Sequence, residues 1–173
     1  MPKIIENLRC SILQTGKQML LQEGYAQMTL RRMASACGIA AGTIYNYYPS
    51  KEMLAATIML EDWHRLLDSA KAVVESAVSP LAGMEAVFGM VRAYTEIYRG
   101  VWDGYSGAVL ISGQRHALLI GQLAALVRRV LERFDLSPEP DPCVFLAEIL
   151  LHAGIGQQTA FSSLSPFLEK LLL

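Results

Sequence analysis

The chain has 173 residues, of which 53% are hydrophobic and 18% are charged, and its formal net charge at pH 7 is −1. This composition excludes an intrinsically disordered protein, because the chain has ample apolar surface to bury and little net charge to oppose compaction. The apolar surplus predicts a large interior pocket or a broad subunit interface in addition to a single-chain core.

The sequence predicts neither a membrane protein nor an exported one. Its two most apolar stretches, residues 117–127 and 143–156, are interrupted by polar side chains and glycines before they reach the length of about 18 residues that a span requires. The N-terminal residues MPKIIENLRCS lack the apolar region of a signal peptide. The three cysteines are odd in number and widely spaced, which indicates no disulfide framework and no metal site. We therefore expect a cytoplasmic protein without a membrane partner.

Charge is distributed unevenly along the chain. Residues 1–51 carry six basic and two acidic side chains, a net charge of +4, whereas residues 52–173 carry −5. A basic segment on an acidic remainder is expected where only that segment meets a polyanion. A difference of this size in a short segment also arises by chance, so the charge pattern alone leaves both explanations open.

The first half of the N-terminal segment predicts two helices. Apolar residues recur at steps of three and four over residues 5–19, which predicts a helix that ends at Gly24. The next segment, LRRMASAC, follows Thr29 and stops at Gly38, a residue that takes the left-handed conformation at little cost. The second helix is therefore about eight residues long.

A third short helix should run from about Ala40 to Tyr47. Pro49 disfavours helical geometry at the residue before it, and Ser50 can cap the helix that follows. The connection between the second and third helices has a small residue at the expected contact, a glycine in the turn and two branched residues to fill the gap: Ala34, Gly38, Ile39 and Ile44. This is the pattern of a helix-turn-helix, which can present its second helix to the major groove of DNA, although many helical proteins contain a similar corner.

The remaining sequence predicts helices only. A long helix after Ser50 carries one apolar stripe, formed by Met53, Ala56, Leu60, Trp63, Leu67, Ala70 and Val74. Helices are then expected from Pro80 to about Gly100, in irregular form within 101–113, and from Gln114 to Phe134. After a proline-rich loop come a long helix over about 141–161 and a short one opened by Ser165-Pro166. The long helix should present Leu146, Ile149, Ala153, Gly156 and Ala160 on one face, whose small residues allow another helix to approach closely.

The string MTLRRMASACGIAAGTIYNYYPSKEML closely resembles the DNA-binding signature of the TetR family of bacterial transcriptional regulators. The match spans about Leu8 to Leu54 and keeps the order Gly24-Tyr25, Thr29, Met33-Ala34, Gly38-Ile39, Gly42-Thr43, Tyr45, Tyr48 and Pro49-Ser50-Lys51-Glu52. The resemblance implies an all-α fold of about nine helices. It also implies a DNA-binding helix-turn-helix domain at residues 1–51 and an effector-binding and dimerisation domain at residues 52–173.

The resemblance assigns roles to individual residues. It implies phosphate contacts from Thr29, which would cap the second helix, and from Tyr45, Tyr47 and Lys51. It places Arg31, Ala41, Gly42, Thr43 and Asn46 at positions that face base edges or the groove. Hydroxyl and ammonium groups suit phosphate oxygens, and an arginine can donate two hydrogen bonds to guanine. Tyr48 matches a buried aromatic position, and simple packing remains the alternative for Tyr45 and Tyr47.

One departure concerns the third helix. Many family members have a polar or basic residue where this chain has Ala40-Ala41, so the helix offers few hydrogen-bond donors. Specificity would then rest on Arg31, Thr43, contacts between Ala41 and thymine methyl groups, and DNA shape.

The C-terminal part should be the sensor. It gathers aromatic side chains with a few polar tips, which is typical of a pocket for a small apolar or aromatic effector. The candidates are Trp63, Phe88, Tyr94, Tyr98, Trp102, Tyr105 and His116, and ordinary core packing is the alternative for each. No metal-ligand spacing, cofactor motif or catalytic constellation is recognisable, so we expect no metal, no cofactor and no enzyme.

The sequence thus predicts a homodimeric, ligand-responsive repressor that binds a palindromic double-stranded DNA operator. The two subunits would pair through the two C-terminal helices, at about 141–161 and 165–173. Two alternatives remain: a helical carrier or partner-binding protein that retains the N-terminal domain with weakened DNA affinity, and a small helical enzyme.

Overall fold

A computed structural model describes residues 8–102, 114–136, 139–156 and 158–172. These residues form eight α-helices and no strand: α1 (Leu8–Glu23), α2 (Leu30–Ala36), α3 (Ala41–Tyr47), α4 (Lys51–Ser76), α5 (Pro80–Trp102), α6 (Gln114–Arg133), α7 (Cys143–Ile155) and α8 (Phe161–Leu172). The all-α prediction is confirmed. Of the irregular helix expected within 101–113, the first two residues belong to α5 and the rest lies outside the described ranges.

The chain divides into two compact units. One contains the described residues of Met1–Trp63 and Ile97–Ser106, and the other those of His64–Glu96 and Gly107–Leu173. The first unit therefore includes α1 to α3, the N-terminal half of α4 and the C-terminal end of α5.

The first unit is built around a close crossing of α1 and α4. A Cβ atom at Gly16 would lie 2.8 Å from Cδ1 of Ile58 and 3.6 Å from Cδ2 of Leu54, so the absence of a side chain there permits the approach. The fully buried side chains nearby come from all four helices and include Ile12, Leu20, Met33, Ile44 and Leu54.

The predicted stripe of α4 is wrong in its N-terminal half. Met53 and Leu60 are exposed, and the buried positions are instead Leu54, Ala55, Ile58, Met59 and Asp62. The shift follows from the crossing with α1, which covers the neighbouring face of the helix. From Trp63 onward the predicted positions Leu67, Ala70 and Val74 are buried as expected.

The second unit contains a similar close approach between α5 and α7. A Cβ atom at Gly154 would lie 2.5 Å from Cγ1 and 2.9 Å from Cβ of Val91, so only glycine fits without displacing the branched side chain. The predicted helix over about 141–161 is wrong in its C-terminal part, because α7 ends at Ile155 and Gly156 and Ala160 therefore do not lie on its face. The buried face of α7 instead carries Cys143, Leu146, Ala147, Leu150, Leu151 and Gly154.

The last helix begins earlier than expected. Helix α8 starts at Phe161 and contains Pro166 in its interior, whereas the sequence predicted a helix opening at Ser165-Pro166. Proline cannot donate a hydrogen bond to the carbonyl of Ser162. The Ser165 hydroxyl donates to that carbonyl at 3.3 Å, which helps to satisfy it and to tolerate the proline.

The start of α7 is held by an ionic cap. The backbone N–H of Cys143 donates to Asp141 Oδ1 at 3.0 Å, and the Arg128 guanidinium contacts Asp141 Oδ2 at 2.6 Å. Hydrogen bonds from Cys143 and Arg128 lower the pKa of the Asp141 carboxyl to about 2. Burial, with a hydrogen bond to Asp141, raises the pKa of the Cys143 thiol to about 11, so this cysteine is protonated and unreactive at neutral pH.

Helices α7 and α8 also expose apolar side chains. Phe167 is 74% exposed, and the other exposed members are Val144, Phe145, Ile155 and Leu171. None of the eight helices in the described ranges combines the length and apolar character needed to span a membrane.

Candidate nucleic-acid interface

Helices α2 and α3 are joined by a turn whose hydrogen bonds are satisfied locally. Thr29 caps α2, because its hydroxyl accepts from the backbone N–H of Arg32 at 3.3 Å. Gly38 has φ +65°, and the N–H of Ile39 reaches back to the carbonyl of Ala34 at 2.9 Å. This left-handed glycine ends α2 and turns the chain into α3, so the predicted helix-turn-helix is present.

Helix α3 has one buried face and one exposed face. Ile44 is fully buried, and Tyr48, just after the helix, is 5% exposed, which confirms its predicted place in the core. Tyr45 and Tyr47 are 46% and 44% exposed. The other predicted contact residues of α3 are also at the surface: Ala41, Gly42 and Asn46 are exposed and Thr43 is half-buried.

The adjacent arginines of α2, Arg31 and Arg32, differ in their contacts. Arg31 lies on the exposed side of α2 and has no hydrogen-bond or ion-pair partner within the described ranges. Its neighbour Arg32 is engaged, because its guanidinium contacts Glu23 at 2.7 Å and the carbonyl of Gln27 at 2.8 Å. The structure thus separates two adjacent arginines into one available and one structural residue.

Two further cations of the N-terminal segment are paired within the protein. Arg9 contacts Glu61 at 3.2 Å, and Lys17 contacts Asp62 at 2.6 Å. Both acidic partners belong to α4, beyond the residue at which the sequence charge was divided. The net charge of +4 in residues 1–51 therefore overstates how many cations lack a carboxylate partner. Sequence spacing gave no signal of these pairings, which join residues 45 and 52 positions apart.

Lys51 is held at the start of α4 by the loop after α1. Its ammonium donates to the backbone carbonyl of Tyr25 at 3.2 Å and lies 4.1 Å from the centroid of the Tyr25 ring. The Tyr25 hydroxyl donates to Glu52 Oε1 at 2.9 Å. A hydrogen bond from its own backbone N–H, together with hydrogen bonds from the Ser50 and Tyr25 side chains, lowers the pKa of the Glu52 carboxyl. Sequence reasoning missed the role of Tyr25, for which the only signal was its place directly after Gly24.

Comparison with known proteins agrees with this geometry. A sequence model described as bacterial regulatory proteins, tetR family, matches residues 12–58. The HTH-type transcriptional regulator UidR of Escherichia coli K12 is 28% identical over 139 residues, which cover 76% of this chain and 70% of UidR. Residues 12–58 thus carry the sequence of the TetR-family DNA-binding region.

Solved structures of TetR-family regulators share the fold over nearly the whole chain. A regulator from Pectobacterium atrosepticum matches with a TM-score of 0.69 at 17% identity, covering 95% of this chain and 94% of that one. The regulator FadR from Bacillus subtilis, solved in complex with stearoyl-CoA, matches with a TM-score of 0.54 at 14% identity, covering 95% and 97%. At these identities the likeness establishes the fold alone.

The predicted sensor residues fall in both units. Trp63 and Tyr98 are buried in the first unit, and in the second Phe88 is buried while Tyr94 is half-buried. His116, also in the second unit, is half-buried and contacts Glu148 at 3.0 Å. The side chain of Trp102 and the whole of Tyr105 lie outside the described residues.

A three-residue network connects α1, α4 and α5 within the first unit. Asp62 is only 4% exposed; it accepts from Lys17 at 2.8 Å through Oδ1 and from the Tyr98 hydroxyl at 2.7 Å through Oδ2. A buried carboxylate is stable only when such donors surround it. The sequence placed Asp62 on no particular face of α4, so this network was not predicted.

A groove in the second unit differs from the predicted aromatic pocket. Its volume is about 390 Å³, and α4 and α6 line it with His64, Leu67, Asp68, Lys71, Gln122, Ala125, Leu126 and Arg129. The charged lining residues are paired: Lys71 contacts Asp68 at 2.8 Å and Arg129 contacts Glu75 at 3.1 Å. In the described part of the chain, no group of three potential ligands is arranged to hold a metal ion.

Proposed function

We propose that the protein is a ligand-responsive transcriptional repressor, located in the cytoplasm, that binds a palindromic DNA operator as a homodimer and leaves it when a small effector binds. The observation that supports DNA binding most directly is the pair α2 and α3. This pair buries Ile44 and Tyr48 while it presents Arg31, Tyr45 and Tyr47 to solvent. The family model covers the same residues.

In the proposed complex, α3 lies in the major groove. Its first residues, Ala41 and Gly42, are exposed and small, so the helix can approach the base edges closely. Ala41 would contact thymine methyl groups, and Arg31 and Thr43 would supply the hydrogen bonds to bases. Tyr45, Tyr47 and Lys51 would bind phosphates on the flanking backbone. With so few donors on α3, sequence-dependent DNA shape would carry much of the specificity.

The apolar surface on α7 and α8 supports the proposed homodimer. Val144, Phe145 and Ile155 on α7, and Phe167 and Leu171 on α8, expose apolar area that association with a second copy would bury. A two-fold axis would then present two N-terminal domains to two half-sites of one operator.

Sedimentation equilibrium tests the dimer. Phe167→Glu should convert the protein to monomers, because a charge would enter an apolar interface. Val78→Glu is the matched control, since Val78 is 90% exposed and lies outside both helices. Two monomeric variants, or two dimeric ones, would refute this interface.

The effector is proposed to be small and apolar or aromatic, because the candidate sensor residues are mainly aromatic. An effector that favours a dimer with wrongly spaced DNA-binding domains must weaken operator binding by the same factor by which the operator weakens effector binding. Helix α4 is proposed to transmit the effect of the ligand to the DNA-binding domain, since it is continuous from Lys51 to Ser76. The contacts of Asp62 with Lys17 and Tyr98 offer a route by which a change at α5 would reach α1.

The experiment that tests this function is a fluorescence anisotropy titration with the DNA directly upstream of the protein's own gene and with a scrambled duplex, each at two salt concentrations. The proposal predicts tighter binding to the upstream DNA and a steep loss of affinity with salt. Equal, weak binding to both duplexes would favour the alternative of a helical carrier that has lost DNA recognition, which the alanines at the start of α3 make plausible.

A further inference from the structure

We infer that Tyr25 is a positioning residue for DNA binding: its ring and carbonyl hold the Lys51 ammonium toward a backbone phosphate, and its hydroxyl holds the Glu52 carboxylate away from that phosphate. The inference rests on the DNA-binding function proposed above. Tyr25 itself need not touch DNA.

Lys51 occupies a position that helix stability does not favour. It is the first residue of α4, where the helix dipole places a partial positive charge that repels an ammonium. Two contacts from one residue compensate: the Tyr25 carbonyl accepts a hydrogen bond at 3.2 Å, and the Tyr25 ring lies 4.1 Å below the ammonium. An ammonium has three N–H groups, so two donors are left for a phosphate.

Tyr25 is itself fixed in place. It is buried and follows Gly24, which has φ +83° and turns the chain out of α1. Its aromatic ring therefore forms a rigid platform, whereas the flexible side chain of Lys51 would otherwise sample many rotamers. A platform that restricts this sampling reduces the entropy lost when the ammonium binds a phosphate.

The Tyr25 hydroxyl has its role in restraining the neighbouring Glu52 carboxylate. This exposed carboxylate is adjacent in sequence to Lys51, and a phosphate bound to Lys51 would be repelled by a nearby free carboxylate. The Tyr25 hydroxyl donates to Glu52 Oε1 at 2.9 Å and fixes the charge on the side of the helix that faces the loop. The one tyrosine thus restrains the favourable and the unfavourable charge together.

The position of Lys51 matters for DNA affinity because most of the other N-terminal cations are paired within the protein. Arg9, Lys17 and Arg32 are each paired with a carboxylate, so Lys51 is one of two cations within residues 8–63 that are not, the other being Arg31. Misplacing Lys51 therefore removes about half of the available positive charge.

A double-mutant cycle tests the contact between the Tyr25 ring and the Lys51 ammonium. The probe is the upstream duplex, titrated with full-length Glu52→Gln protein and with the same protein carrying Tyr25→Leu, Lys51→Ala or both, so that loss of the Tyr25 hydroxyl cannot act through the Glu52 carboxylate. Tyr25→Leu should weaken binding about threefold per subunit, or about tenfold per dimer, the size of an exposed cation–π contact. In the Lys51→Ala background it should have little further effect. An equal loss in both backgrounds would overturn the positioning role.

A rescue experiment tests the hydroxyl and avoids the risk that a large substitution unfolds the loop. Tyr25→Phe keeps the ring and the carbonyl and should weaken binding about threefold per dimer by releasing the carboxylate. Adding Glu52→Gln should restore wild-type affinity. Failure of this rescue would overturn the second half of the inference, whereas a wild type without preference for the upstream duplex would refute the proposed function itself.

Discussion

The affinity of the dimer for its operator should fall with salt as roughly the −3.6 power of concentration. Each subunit offers two cations without a carboxylate partner within residues 8–63, Arg31 and Lys51, which makes four per dimer. Each cation placed against the duplex, at a phosphate for Lys51 or at the base edges for Arg31, displaces condensed counterions and contributes about −0.9 to the slope of log affinity against log salt concentration. Between 50 and 200 mM salt the affinity should therefore drop about 150-fold.

A much steeper salt dependence is expected if the paired cations also contact phosphates. If Arg9, Lys17 and Arg32 also met phosphates, ten cations per dimer would give a slope of about −9 and a loss of about 10⁵-fold over the same range. Their contacts with Glu61, Asp62 and Glu23 are the reason to expect the smaller value.

Substitution tests the assignment directly. Lys51→Ala should reduce the slope to about −1.8, because two cations per dimer are lost. Lys71→Ala is the matched control, since Lys71 lies on the same helix but contacts Asp68 in the second unit. Anisotropy titrations at four salt concentrations measure each slope. A wild-type slope near −9, or a Lys51→Ala slope equal to that of the control, would refute the reasoning.

Further predictions concern stability. Gly154→Ala should lower the free energy of unfolding by about 1–3 kcal/mol, because the added methyl group overpacks the contact with Val91. Gly121→Ala, whose Cβ would meet no atom within 4 Å, should raise that free energy by about 0.5–1 kcal/mol. Urea denaturation compares the two variants, and equal effects would contradict the close approach at α7. Tyr98→Phe should cost about 1.5–3 kcal/mol in the same assay, and much less in an Asp62→Asn background, because the lost hydrogen bond is to a charged group. Because the pKa of Asp141 is lowered in the folded protein, its ionised carboxyl contributes stability above about pH 4, and this stability is lost as the pH falls toward 2. The melting temperatures of the wild type and Asp141→Asn should therefore converge over that range. A constant difference between them would argue against the ionic cap.

The N-terminal helices could be predicted because their boundaries are set by single residues. Thr29 caps α2, Gly24 and Gly38 have positive φ, and Pro49 follows the extended Tyr48, as the sequence indicated. Each of these signals acts within a few residues of chain, where sterics and local hydrogen bonds decide the conformation.

Contacts between distant segments could not be predicted in the same way. Periodicity favoured Met53 and Leu60 as the buried side of α4, but the crossing at Gly16 selects the neighbouring face and buries Asp62 with it. A carboxylate in the core is tolerated only because Lys17 and Tyr98 reach it from two other helices. No pattern within α4 reveals those partners, and the same limit applies to Tyr25 beside Lys51.

The central claim is that two copies of the chain place α3 in successive turns of one operator. Hydroxyl-radical footprinting of the upstream DNA, combined with a measured stoichiometry, tests it most directly. The account predicts two chains per site and two protected half-sites, separated by about 10 base pairs or a multiple of that spacing, on one face of the duplex. A single protected segment bound by one chain, or protection that does not depend on sequence, would contradict it.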